Sequence, residues 1–99
     1  MPDPQETTAF IKIKQLLSEN LNEKWSIASK ITNGTDYHFQ IFSPPGLFGP
    51  KLLAEISVLD RHRRVVLQIV HANKSQQAIL NTAYQEMYQR LLQISFPQE

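Results

Sequence analysis

The sequence predicts an α+β fold: a two-layer sandwich in the order α-β-β-β-β-α, with a four-stranded antiparallel meander and both helices on one face of the sheet. Three observations carry this expectation. A segment near each end of the chain repeats its apolar residues with the helical period, and four segments between them alternate apolar and polar residues with period 2. The strand-like segments follow one another without an intervening helical segment, so consecutive strands are expected to be antiparallel neighbours. Two amphipathic helices and one sheet bury their apolar surfaces most simply against a single shared face.

The first helix opens at Asp3-Pro4-Gln5-Glu6, with Asp3 as N-cap, Pro4 where a missing N–H costs nothing, and Glu6 as capping-box partner. The arc of Ala9, Phe10, Ile13, Leu16, Leu17 and Leu21 carries it to about Asn22. The period then changes. Trp25, Ile27, Ser29 and Ile31 alternate with Ser26, Ala28, Lys30 and Thr32 up to the turn signal Asn33-Gly34, and Tyr37, Phe39 and Ile41 follow it. A two-residue Asn-Gly loop would set Ile27 opposite Gln40 and Ile31 opposite Asp36, apolar against polar. A three-residue loop Thr32-Asn33-Gly34, with Gly34 at a left-handed bulge position, instead pairs Trp25 with Ile41, Ile27 with Phe39 and Ser29 with Tyr37, and is the expected turn.

Ser43 to Pro50 holds three of the six prolines and two of the three glycines and must be a loop. Leu52, Ala54, Ile56 and Val58 then alternate with Leu53, Glu55, Ser57 and Leu59. After Asp60-Arg61-His62-Arg63, Val65, Leu67 and Ile69 resume the inward pattern. A short loop at Arg61-His62 sets Val58 against Val65, Ile56 against Leu67 and Ala54 against Ile69, so pattern and turn length agree. Asn73 or Ser75 caps the last helix, with Gln76 completing a capping box if Asn73 is the cap. Leu80, Ala83, Tyr84, Met87, Leu91 and Ile94 form its apolar stripe before Pro97 stops it. The helices are expected on the sheet face carrying Trp25, Phe39, Ile56 and Leu67.

Composition bounds the rest. Ninety-nine residues, 41% apolar and 19% charged, suit one globular domain spanning 1–99 that folds without staples. The chain has no cysteine, which removes disulfides, thiolate metal sites and cysteine nucleophiles. With an acidic, polar N-terminus and no long apolar run, a cytoplasmic chain with no membrane partner is expected. A net charge of +1 does not by itself point to nucleic acid.

The motifs of chemistry are sparse. His38, His62 and His71 stand apart in sequence without ligand spacing, no Gly-x-Ser-x-Gly elbow occurs, and the three glycines form no phosphate-cradling loop. The carboxylates Asp36, Glu55 and Asp60 suggest no acid/base pair, with Glu55 expected across from Gln68. No enzyme, no metal and no cofactor are expected.

Three surfaces are left. The sheet face away from the helices carries polar Ser26, Lys30, His38, Gln40, Glu55 and Gln68, but also Phe42, Leu53, Leu59, Val66 and Val70, more apolar than a solvated face requires. Leu47 and Phe48, bracketed by Pro45-Gly46 and Gly49-Pro50, form a rigid apolar tip. Arg61, Arg63 and Arg64 make the basic cluster at the turn between the last two strands, able to touch phosphates. The helix–sheet–helix order resembles frataxin-like and signal-recognition-particle small-subunit architectures. It carries neither the acidic helix face of the first nor the basic sheet of the second, so the resemblance implies architecture and no activity. The expectation is an intracellular protein–protein interaction module. It would bind another protein or itself, as a homodimer, through Phe42, Leu47, Phe48, Leu53, Leu59, Val66 and Val70. Nucleic-acid binding through the arginine turn is the alternative.

Overall fold

The computed structural model describes residues 8–21, 23–32, 35–47, 49–59 and 61–96. They form α1 (Thr8–Asn20), β1 (Ser26–Thr32), β2 (Asp36–Phe42), β3 (Leu52–Leu59), β4 (Arg64–Ile69) and α2 (Lys74–Ser95). The strands make one antiparallel sheet in the order β1-β2-β3-β4, the α+β meander that the hydrophobic periods predict. No helix among the described residues is long and apolar enough to cross a membrane.

The core lies between the helices and one sheet face. From α1 it takes Phe10, Ile13, Leu16 and Leu17, and from α2 Leu80, Ala83, Met87 and Leu91, each set recurring at three- and four-residue steps. Phe39, Ile41, Ala54, Ile56, Val58 and Val65 meet them from the sheet, with Trp25 and Leu67 half-buried at the margin. Phe10 ties α1 to β2, stacking on Phe39 at 5.4 Å and meeting Tyr37 edge-on at 5.3 Å. Over the other half of the sheet, the Tyr84 hydroxyl of α2 donates to the Val65 carbonyl at 2.8 Å.

Asn73 is the N-cap of α2. Its side chain accepts from the Gln76 N–H at 2.8 Å, and the Gln76 side chain accepts from the Asn73 N–H at 3.0 Å, completing the expected capping box. The helix start expected at Asp3 to Glu6, the bulge residue Gly34 and the stop at Pro97 lie outside the described residues.

The β3–β4 register is the expected one, with Val58 facing Val65, Ile56 facing Leu67 and Ala54 facing Ile69. Arg63 closes that turn at φ 49°, a left-handed conformation in a non-glycine residue. The β1–β2 register differs from expectation by two residues. Ile27 faces Ile41, Ser29 faces Phe39, Ile31 faces Tyr37 and Thr32 faces Asp36, so Thr32 belongs to the strand rather than to the turn. A shift of two leaves every side chain on its expected face, because facing depends only on parity.

A second difference has larger consequences. Ile41 faces Ala54 but Phe42 faces Leu52, which leaves Leu53 as the extra residue of a bulge in β3. The alternation changes phase there, and Leu53 joins the core.

Candidate functional site

The open sheet face has a polar centre and two separate apolar ends. Adjacent rows across it read Gln40, Glu55, Gln68 and then His38, Ser57, Val66. His38 does not stand alone, as its isolation in sequence suggested. Its Nδ1 lies 3.0 Å from Ser57 Oγ and 3.3 Å from Glu55 Oε1, and its Nε2 lies 2.8 Å from Thr32 Oγ1. Gln40 Nε2 donates to Glu55 Oε2 at 3.3 Å. Ser57 donates its hydroxyl proton to Glu55 Oε1 at 3.2 Å, so Ser57 Oγ must accept from a protonated Nδ1. In the neutral ring, Nε2 is then the acceptor for the Thr32 hydroxyl. The network orders five side chains from three strands.

A carboxylate, an imidazole and a hydroxyl in line are also the parts of a nucleophile relay. Acyl chemistry further needs N–H donors aimed at a developing oxyanion. The cluster is a hydrogen-bonded polar surface spanning three strands.

The apolar residues expected to form one patch divide. Leu59 and Val66 are half-buried beside the arginine turn, Phe42 is half-buried at the opposite end, and Val70 is 37% exposed beyond β4. The Gln40–Glu55–Gln68 row lies between the two ends. Leu53 is no part of this surface: it is 1% exposed and belongs to the core cluster, because the bulge takes it out of the strict alternation that would have left it outside. The Leu53 carbonyl also accepts from the Val70 and His71 N–H groups at 2.8 and 3.2 Å, fixing the chain that leaves β4.

The described part of the loop expected as an apolar tip extends the β2–β3 hairpin. The Ser43 N–H donates to the Lys51 carbonyl at 2.9 Å and the Lys51 N–H donates to Ser43 Oγ at 3.0 Å. Farther out, the Gly49 N–H donates to the Gly46 carbonyl at 3.1 Å, with Gly49 at φ 83°, where glycine avoids a steric cost. This closes a turn over residues 46–49. Leu47 stands in that turn 99% exposed, while Phe48 lies outside the described residues.

Arg61, Arg63 and Arg64 are all exposed at the other end of the sheet. Comparison with protein-family models, with curated proteins and with solved structures finds no match.

Proposed function

We propose that the chain is a binding module rather than an enzyme, and that its contact element is the β2–β3 hairpin, with Leu47 as the anchor and Phe42 and Val70 at its base. The observation that carries this reading is a leucine 99% exposed on a turn already closed by its own hydrogen bond. A fully hydrated leucine side chain gains on the order of 2 kcal/mol when a partner buries it. The ordering cost that usually offsets such a gain is reduced, because the turn is held and prolines 44, 45 and 50 flank it. The occupant is another protein offering an apolar pocket of leucine size.

A photo-crosslinking residue at position 47 tests this in the native cell. The expected result is a discrete protein adduct that added wild-type chain competes away and folded Leu47→Asp chain does not. Equal competition by both chains, or no adduct, refutes the reading. Three exposed arginines on one turn favour a second reading, nucleic-acid contact. Binding of mixed oligonucleotides with a salt slope of about −3 that Arg63→Glu weakens would carry it instead.

A further inference from the structure

We propose that β1 is a self-pairing edge: a second copy of this chain lays its own β1 antiparallel against it, about a two-fold axis through Ser29, joining the two four-stranded sheets edge to edge. The inference concerns a different surface from the Leu47 hairpin and does not rest on it.

The two edges of the sheet are unlike. At β4 the Tyr84 hydroxyl from α2 donates to the Val65 carbonyl. β1 has one neighbour, β2, among the described strands. It runs seven residues, Ser26–Thr32, without proline and with Lys30 as its single charge. Edge strands are ordinarily blunted by shortness, proline, bulges or charged side chains, lysine above all, because their outward N–H and C=O groups template further pairing. Of these β1 has Lys30 alone, and one register sets that lysine against Ala28 rather than against its own copy.

Its sequence also selects one register. With the axis at Ser29, all seven residues pair: Ile27 meets Ile31 of the second copy on the core face, and Ala28 meets Lys30 on the open face. Moving the register two residues one way sets Lys30 directly against Lys30. Moving it the other way sets Ile27 against Ser29. Either shift reduces the paired length to five residues.

The flank above the edge is unfinished in the same sense. Ile27 and Ile31 are only half-buried against the core. Beside them a groove of about 250 Å³ is lined by Lys14, Ser18, Leu21, Glu23, Trp25 and Ile27. Ile11 stands three residues before Lys14 and seven before Ser18, on the same flank of α1, and is 53% exposed. A second sheet continuing from β1 brings its own α1 beside this flank and covers the margin of both cores.

The test is sedimentation or light scattering across concentration, on wild type and on a charge-swap series. Ala28 is exposed, so Ala28→Lys leaves the fold intact while setting lysine against Lys30 of the other copy at two symmetric places. The expected results are a wild-type dimer, a dissociation constant raised about tenfold by Ala28→Lys, and recovery in the double variant Ala28→Lys/Lys30→Glu, where opposite charges face each other. Leu47→Asp and Val66→Glu, away from the edge, leave the dimer unchanged. A wild-type chain that stays monomeric into the hundreds of micromolar overturns the proposal. So does a dimer indifferent to Ala28→Lys, or a loss that Lys30→Glu does not restore. None of these outcomes bears on the Leu47 crosslink.

Discussion

Replacing Leu53 by alanine tests the bulge, and with it the division between core and surface on which the site rests. Leu53 is 1% exposed, so the substitution removes three fully buried carbons. At about 0.8 kcal/mol per buried methylene the transfer loss is about 2.4 kcal/mol. Neighbouring core residues relax only partly into the space, which brings the total to roughly 3 kcal/mol. That is a large share of the roughly 5–15 kcal/mol stabilising a domain of this size. The chain has a single tryptophan, Trp25, half-buried against the core, so its fluorescence reports urea unfolding. With a slope near 1.5 kcal/mol per molar, the midpoint falls by about 2 M at unchanged slope. Leu47→Ala, at the exposed tip, moves stability by less than about 0.5 kcal/mol in the same assay. A midpoint shift under about 0.5 M for Leu53→Ala would show that the side chain is not buried, return it to the open face, and remove the case for a bulge there.

Tyr84 supplies a pH prediction. Burial and the neighbouring Tyr88, whose ring lies 5.6 Å away, raise the Tyr84 pKa above its ordinary value of 10.0. Because the folded value exceeds the unfolded one, the stabilisation is complete below pH 10 and is lost as pH rises through the folded value. Wild type therefore shows an extra alkaline loss of stability that Tyr84→Phe lacks, and Tyr84→Phe costs about 1 kcal/mol at neutral pH for the bond to Val65; thermal unfolding between pH 7 and 11 checks both. At the start of α2, Asn73→Ala lowers stability by about 1 kcal/mol. Gln76→Ala costs less once Asn73 is gone, because the two form one reciprocal cap, and a double-mutant cycle in urea measures that coupling.

What could be read from the chain beforehand divides along the range of the interactions involved. The cap at Asn73 and Gln76 was legible because it is complete within four consecutive residues. The β3–β4 register was legible because a short turn and the match of Val58 with Val65 impose the same answer. At the first hairpin those two constraints did not coincide. Registers that set Ile27 against Phe39 or against Ile41 both keep Ile27, Ile31 and Phe39 inward, and pairing Trp25 with Ile41 favoured the wrong one. The bulge was hidden because both candidates for the extra residue are leucines, so hydrophobicity carries no phase at Leu52-Leu53. The His38 network was hidden for the same kind of reason at longer range. Ser57 is nineteen residues from His38 in sequence, and only the assembled ladder brings them together. Whether Phe48 folds inward or stands out was left open by its residue type, and Phe48 lies outside the described residues; its neighbour Leu47 stands out beside the bond from Gly49 to Gly46.

The extra residue in β3 also makes chain length a steering device. Because β3 carries one residue more than the ladder opposite requires, removing it would leave β2 in place but turn everything between Ser43 and Leu52 by half a pleat. The Leu47 tip would then project from the sheet at a different angle. A single-codon deletion at Leu53 would thus re-aim the hairpin at a different partner geometry, with the loss of one core leucine as its cost, and no change to Leu47 itself would be needed.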